Sequence, residues 1–242
     1  MPLDVSPGQT LTAERPASAA RDWHSLARVL DSTLLKPDTT RDQVIALCEE
    51  AARFDMATVF VHPSYVALAF DVLRGSATQV GTPVGFPLGA ALTTTKRFEA
   101  AEALRVGARE LDMVLNIGAL RSGDRKLVEL DIRGVAEVAH GGGALLKVIL
   151  ETPLLALEEK IIACELCVLA GADFVKTCTG FAGGGATVDD ILLMRGVVGE
   201  RARVKAAGGI RTAADANRML QAGADRIGTS AAAQILRELG AT

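Results

Sequence analysis

The chain has 242 residues, a formal net charge of −3, and a composition that is 49% hydrophobic but only 4% aromatic. These values suit a single domain with a large core, and a slightly acidic chain without a basic stripe argues against nucleic acid as a partner. Membrane insertion is not expected, because no apolar run approaches the ~18 to 20 residues that a span requires.

The N-terminal segment is polar and lacks the apolar core of a signal peptide. We expect residues 1–24 to form a flexible extension and residues 25–242 to form one folded domain of a cytoplasmic protein. Cys164 and Cys167 are spaced as CxxC, but they lie within a helical pattern that has no second pair, which favours packing over zinc binding. The three histidines share no metal-ligand spacing, so no metal site is expected.

Apolar runs separated by turn signals predict strands and helices in alternation along the chain. The predicted strands are 30–35, 57–61, 79–86, 110–116, 145–150, 174–178, 204–207 and 225–228. The predicted helices are 25–29, 40–53, 63–74, 94–106, 126–139, 158–169, 188–198, 212–223 and a final helix. Thr40, Thr187 and Thr212 are each followed three residues later by Gln or Asp, which is typical of a helix start.

Eight strands alternating with helices predict an α/β fold, a (β/α)8 TIM barrel in a single domain. An open, doubly wound sheet is the alternative, although such sheets seldom carry eight regular units. In a barrel of this kind the active site lies at the C-terminal ends of the strands.

Lysines recur near the ends of three successive predicted strands. Lys147, Lys176 and Lys205 are spaced 29 residues apart, which is about one strand-helix unit, and we expect them at a similar height. A single lysine at a strand end is usually a solvated rim residue, but three together lower one another's pKa, which favours a nucleophilic free amine. The spacing alone leaves open which lysine that is.

The fourth predicted strand carries polar side chains on one face. Because side chains alternate along a strand, Glu110, Asp112 and Asn116 point one way, while Leu111 and Met113 point the other. Helices flank this strand in sequence on both sides, so we interpret the polar row as part of a site rather than as a solvated edge.

Glycine-rich turns follow strands seven and eight, as Gly208-Gly209 and Gly228-Thr229-Ser230. Glycines let backbone N–H groups approach an anion closely, and the loops after these two strands commonly bind phosphate in this fold. A metal-free site with lysines, a carboxylate and a phosphate-binding turn predicts Schiff-base chemistry on a phosphorylated carbonyl compound. Asp112 is a candidate for moving protons and Lys205 for keeping the neighbouring amine uncharged.

From about residue 30 to the last helix the chain resembles the class I deoxyribose-phosphate aldolases. The resemblance rests on the segments LDSTLLKPDTT, VGFPLGA, ELDMVLNIG, LKVILET, DFVKTCTGF, VKAAGGIRT and RIGTS. It implies reversible cleavage of 2-deoxy-D-ribose 5-phosphate to acetaldehyde and D-glyceraldehyde 3-phosphate without a cofactor. The partners implied are therefore small sugar phosphates and aldehydes, and a homodimer is expected because barrels of this type often form dimers.

The resemblance also implies a role for each matching residue. Lys176 would form the Schiff base, and Asp112 and Lys205 would act in proton transfer. The phosphate contacts that the resemblance implies are Gly180, Gly208, Gly209, Gly228 and Ser230. Lys147 and Thr179 are also expected to bind substrate.

Several positions depart from the family pattern. Ser32 replaces a histidine, Phe60 replaces a cysteine common in the second strand, and Cys178 replaces a serine; the C-terminal tyrosine of some members is absent. None of these changes affects the lysines or Asp112, so activity is still expected. The alternatives that remain are an aldolase for a larger sugar phosphate, a sugar-phosphate isomerase, and a non-catalytic sugar-phosphate binding protein.

Overall fold

Eight parallel strands close into a barrel in which each strand bonds the next and β8 bonds β1. The coordinates are a computed structural model that describes residues 22–242. The strands are β1 (Leu30–Leu34), β2 (Thr58–Val61), β3 (Gln79–Val84), β4 (Glu110–Val114), β5 (Leu145–Ile149), β6 (Phe174–Lys176), β7 (Arg203–Ala207) and β8 (Arg226–Thr229). The predicted (β/α)8 barrel is thereby confirmed, and the open sheet is excluded.

Helices surround the barrel and connect successive strands. They are α1 (Trp23–Ala27), α2 (Arg41–Arg53), α3 (Val66–Val72), α4 (Thr93–Arg105), α5 (Ile117–Arg121), α6 (Arg125–Gly141), α7 (Leu157–Leu169), α8 (Val188–Val198), α9 (Ala213–Gln221) and α10 (Ala232–Glu238). Short 3-10 helices span Pro63–Tyr65 and Thr152–Leu154. Helix α1 begins two residues before its predicted start, and residues 1–21 of the predicted extension lie outside the described residues.

The three predicted threonine caps are present. The Gln43 N–H donates to Thr40 Oγ1 at 3.4 Å, and the Thr40 N–H donates to Gln43 Oε1 at 2.9 Å, which completes a capping box at α2. Thr187 and Thr212 begin α8 and α9 in the same way, each accepting a bond from the N–H three residues on. These bonds fix where the helices start and therefore how long each strand-to-helix turn is.

Five of the eight strands, β1, β3, β4, β5 and β6, end one or two residues earlier than predicted. Strand β4 stops at Val114, and the Asn116 side chain accepts from Ala119 N–H at 3.1 Å, which caps the short helix α5. Strand β6 stops at Lys176. This lysine is therefore the last residue of its strand and lies at the C-terminal mouth of the barrel.

The hydrophobic core lies between the strands and the helices, not inside the barrel. Leu111 and Met113 of β4 pack in this outer layer with residues of the helices, while Glu110 and Asp112 of the same strand point inward, as the alternation predicted. Cys164 and Cys167 are fully buried in the same apolar layer on α7. The barrel interior instead holds the charged side chains of the strands, together with Phe60 and Phe174.

A buried ion pair joins α4 to α6 within the outer layer. Lys96 is fully buried, and its Nζ donates to Asp131 at 2.5 Å and to the Val114 carbonyl at 3.0 Å. Thr93 Oγ1 donates to the second oxygen of Asp131 at 2.9 Å. Because Val114 ends β4, this pair connects the outer helices to the strand that carries Asp112.

We predict that Lys96→Met destabilises the fold by about 3–5 kcal/mol, because it leaves the Asp131 carboxylate buried without its cation. The double variant Lys96→Met/Asp131→Leu should recover most of this loss. Urea unfolding at neutral pH measures both. The exposed pair Arg105 and Glu102 on α4 provides the control, and Arg105→Met should leave the midpoint nearly unchanged. If Lys96→Met were as stable as the wild type, the prediction would be wrong.

Candidate active site

Lys176 is the lysine of the predicted set that reaches open space. Its relative exposure is 5%, and it lines a cavity of about 300 Å³ at the C-terminal mouth of the barrel. Its Nζ donates to Asp112 Oδ2 at 2.8 Å. The amine thus lies between the cavity and a buried carboxylate.

The Asp112 carboxylate lies at the centre of the three lysines. Lys147 Nζ donates to Oδ1 at 3.0 Å, while Lys205 Nζ donates to Oδ2 at 2.7 Å, the same oxygen that Lys176 contacts. Lys176 and Lys205 are also direct neighbours in the register of β6 and β7. Sequence spacing therefore predicted correctly that these two amines lie close together.

Lys147 lies deeper in the barrel than predicted. In the register of β5 and β6 it is opposite Phe174, while Lys176 is opposite Ile149. The prediction that all three lysines lie at a similar height is wrong for Lys147, because the strands of a closed barrel are staggered and equal spacing along the chain does not give equal height. Its ammonium is fully buried and donates to Glu110 as well as to Asp112.

Sequence analysis did not single out two charged residues of the interior, Asp31 on β1 and Arg226 on β8. Asp31 Oδ2 lies 2.5 Å from Lys205 Nζ in an ion pair without hydrogen-bond alignment, and Arg226 donates to Asp31 Oδ1 at 2.8 Å. Arg226 also contacts Glu110 at 3.4 Å. A charged residue within an apolar strand was the signal available for both, as it was for the lysines.

The interior charges are close to balance. Among the described residues, four basic and three acidic side chains meet in this network: Lys147, Lys176, Lys205 and Arg226 with Asp31, Glu110 and Asp112. With every group ionised, one positive charge is in excess. The loss of one proton from a lysine removes that excess.

Burial and the surrounding charges shift the pKa values of Asp112 and Lys205. Burial alone would raise the pKa of Asp112, but the ammonium groups of Lys147, Lys176 and Lys205 hold it well below its usual range. Burial lowers the pKa of Lys205 to about 8, with Asp112 and Asp31 opposing the shift and the two other lysines adding to it. Lys205 is therefore a group that exchanges a proton near neutral pH, while Asp112 stays anionic.

The cavity is lined by the turns that the sequence pointed to. Its walls include Thr179, Gly180, Gly208, Gly209, Gly228 and Ser230, and its rim includes Lys36 and Arg211, which sequence analysis did not single out. Gly208 and Gly209 have φ angles of +94° and +77°, which favour glycine. Position 228 requires glycine for a different reason, because a Cβ there would lie 2.9 Å from Lys205 Cε.

Glu151 holds the turn that follows Lys176. Its carboxylate is buried and accepts from the Thr179 N–H at 3.2 Å and from the Thr179 hydroxyl. Glu151 itself has a left-handed backbone with φ of 57°, which is uncommon outside glycine. No sequence pattern used above could have predicted this contact, because it depends on that backbone conformation.

The residues that depart from the family pattern lie in different parts of the barrel. Phe60 lies inside the barrel among the lysines, and its ring centroid is 3.9 Å from Lys205 Nζ. Ser32 is next to the inward-pointing Asp31 and so faces the outer layer. Cys178 is buried beyond the end of β6, with its Sγ 3.7 Å from Thr152 Oγ1. Phe60 is thus the departure that changes the interior.

Within residues 22–242, no group of three or more His, Cys, Asp or Glu side chains is arranged to hold a metal ion. In the same range, no helix has the length and apolar character needed to cross a bilayer.

Comparison with known proteins places this geometry in a family. The sequence profile described as DeoC/LacD family aldolase matches residues 27–238. The deoxyribose-phosphate aldolase of Halalkalibacterium halodurans is 54% identical over 213 residues, covering 88% of this chain and 95% of the relative. That of Bacillus mycoides is 51% identical over 212 residues with the same coverage. Among solved structures, the tetrameric deoxyribose phosphate aldolase from Aeropyrum pernix is similar with a TM-score of 0.84 at 34% identity, over 89% of this chain and 91% of that one.

We predict that Asp112 contributes to stability in a pH-dependent way. Its pKa is lowered by folding, so the contribution is complete above the unfolded value of about 4 and is lost, at about 1.4 kcal/mol per pH unit, as the pH falls below it. Asp112→Asn should therefore be less stable than the wild type at pH 7, and the difference should narrow below about pH 4. Urea unfolding at several pH values measures this, with Glu200→Gln, which removes an exposed carboxylate, as control. A difference independent of pH would refute the prediction.

Proposed function

The chain belongs to the DeoC/LacD family of aldolases, and on that premise we propose that it cleaves 2-deoxy-D-ribose 5-phosphate reversibly to acetaldehyde and D-glyceraldehyde 3-phosphate through a Schiff base on Lys176. In the cell this reaction would serve deoxyribonucleoside catabolism. The observation that carries the proposal is the convergence of Lys176 and Lys205 on one oxygen of Asp112, at the floor of a cavity lined by glycine-rich turns.

The first step needs an uncharged amine at Lys176. The interior holds one excess positive charge when all groups are ionised, and Lys176 and Lys205 share one carboxylate oxygen. With Lys205 as the ammonium, Nζ of Lys176 is the amine that faces the cavity.

The covalent steps follow from the chemistry of an iminium. The Lys176 amine adds to the aldehyde carbon of the open-chain sugar, and the carbinolamine loses its oxygen as water to give the iminium. A base takes the proton of the C3 hydroxyl, the C2–C3 bond breaks, and its electron pair enters the iminium to form an enamine. C3 leaves as the aldehyde of glyceraldehyde 3-phosphate. The enamine then takes a proton at C2, and water hydrolyses the resulting iminium to acetaldehyde and the free amine.

Lys205 and Asp112 divide the remaining roles. Lys205, with its pKa near 8, is the group suited to giving and taking protons, through water where the substrate atom is distant. Asp112 stays anionic and fixes the positions of both amines by accepting a hydrogen bond from each. Lys147 lies beneath them, so we assign it an electrostatic role toward Asp112 in place of the substrate contact first expected.

We place the phosphate group at the glycine-rich turns that line the cavity. Backbone N–H groups near Gly208, Gly209 and Ser230 would bind its oxygens, and the turn at Thr179 and Gly180 would complete the site. Lys36 and Arg211, on the rim, add positive charge. Because Lys176 lines the same cavity, phosphate binding at these turns would direct the aldehyde end of the sugar toward the amine.

We also propose that the enzyme acts in the cytoplasm as a homodimer, without a nucleic acid or membrane partner. The related enzyme from Aeropyrum pernix is described as a tetramer. Light scattering of the purified protein separates the two assemblies.

The sharpest test is chemical trapping. Borohydride added during turnover of deoxyribose 5-phosphate should reduce the iminium and leave a stable adduct on Lys176, which peptide mass spectrometry locates. Lys176→Ala should abolish the adduct, while Lys126→Ala, which removes an exposed lysine of α6, should retain it. If the protein were a sugar-phosphate isomerase or a binding protein, neither the wild type nor Lys126→Ala would give an adduct. Product analysis with fructose 1,6-bisphosphate as the competing substrate distinguishes an aldolase for larger sugars.

We further predict that Lys205→Leu and Asp112→Asn each lower turnover by at least ~100-fold, as expected for loss of proton transfer and of the group that positions the amines. Steady-state rates measure the loss, and circular dichroism checks that the fold is intact. A rate close to that of the wild type in either folded variant would exclude the role assigned to that residue.

A further inference from the structure

Phe60 is an aromatic residue placed among charges. It lies on β2, is 1% exposed, and points into the barrel interior. Three ammonium nitrogens surround its ring, with Lys205 Nζ at 3.9 Å, Lys147 Nζ at 4.5 Å and Lys176 Nζ at 5.8 Å from the centroid. The first two distances are well within the range in which an aromatic face attracts a cation.

The ring fits because the neighbouring strand carries no side chain beside it. Phe60 is opposite Gly81 in the register of β2 and β3. A Cβ at residue 81 would lie 2.4 Å from the Phe60 Cζ and 2.6 and 2.8 Å from the two Cε atoms. Those distances are far below contact, so Gly81 and Phe60 form a matched pair.

The charged groups around Lys205 come from four strands. Asp31 of β1 and Asp112 of β4 attract its ammonium, while Lys147 of β5 and Lys176 of β6 repel it. Arg226 of β8 acts on the same carboxylate, Asp31. Strand β2 contributes the uncharged face of Phe60, which favours a cation without adding charge or a proton acceptor.

We propose that Phe60, seated over Gly81, is a positioning residue whose ring holds the ammonium groups of Lys205 and Lys147 at the Asp112 carboxylate and favours the charged form of Lys205. The ring also excludes water from this part of the interior, so its face replaces part of the hydration that Lys205 loses. The kinetic consequence rests on the proposed aldolase mechanism, whereas the effect on the Lys205 charge does not.

The first test measures the charge of Lys205 directly. NMR titration of lysines labelled at the ε-carbon follows each amine, and the signal missing in Lys205→Leu identifies Lys205. In Phe60→Leu, which keeps an apolar side chain but removes the aromatic face, the Lys205 pKa should fall by about one unit. Should that variant fail to fold, Phe60→Met gives the same comparison.

Phe174→Leu is the matched control. Phe174 is also a 1% exposed phenylalanine inside the barrel, but the cations over its ring are Arg203, Lys147 and Arg226, with Lys147 Nζ at 5.7 Å. Its replacement should shift the Lys205 titration much less. An unchanged titration in Phe60→Leu, or an equal shift in both variants, would overturn the proposal.

The second test uses activity. If Lys205 must be charged for turnover, the alkaline limb of the kcat profile in Phe60→Leu should move to lower pH by the same amount as the NMR titration, with KM little changed. A purely structural role would lower stability and leave that limb in place. An enzyme inactive on deoxyribose 5-phosphate at every pH would refute the proposed function, while the NMR result would still decide the role of Phe60.

The third test exploits the pairing of Phe60 with Gly81. Gly81→Ala should displace the ring toward the lysines and lower turnover by at least ~10-fold in the wild-type background. In the Phe60→Leu background the same change should cost much less, because leucine does not reach the space that the ring tip occupies. Equal losses in the two backgrounds would show that the ring and Gly81 act independently and would overturn this part of the proposal.

Discussion

A single carboxylate holds the interior of this barrel together. Asp112 accepts hydrogen bonds from three lysines that come from three successive strands, and all four side chains are buried. Together with Asp31 and Glu110, its negative charge offsets the cost of burying the ammonium groups, since an unpaired one would cost several kcal/mol or lose its proton. The same arrangement keeps the amines close enough to influence one another, so the contacts that stabilise the interior are also those on which the proposed mechanism depends.

The placement of the apolar core follows from this constraint. Many barrels of this fold fill their interior with branched apolar side chains. In this one, charged side chains occupy much of the interior, and the hydrophobic core cluster lies between the strands and the helices. Buried pairs there, such as Lys96 with Asp131, tie the helices to the end of β4. The strand that carries Asp112 is therefore fixed from outside as well as from within.

Much of the fold and of the candidate site could be predicted from the sequence. The features that could not be predicted were missed for one physical reason. Strand order, the helix caps at Thr40 and Thr187, and the closeness of Lys176 to Lys205 depend on local patterns and on spacing, which the sequence displays. The depth of Lys147 depends on the stagger of a closed sheet, and the pairing of Asp31 with Arg226 depends on β8 returning to β1. These contacts form only when the barrel closes, so they could not be predicted from any short segment of the sequence.

The loop that follows β6 has a part that is held in place, beginning at the turn bonded to Glu151, and a part that is exposed. Thr179 is fixed by a carboxylate that follows the end of another strand. Further on, the Ala186 N–H donates to the Gly208 carbonyl at 3.0 Å, next to Gly184 and Gly185, where an added Cβ would clash with Pro153 and Gly208. Between these attachment points, residues 181–183 are exposed at the edge of the cavity. Phe181 and Ala182 can therefore be exchanged for other side chains while Lys176 and the Thr179 turn keep their positions, whereas Gly183, with φ of +80°, is best kept as glycine; the first two positions are the place to begin when redesigning the cavity.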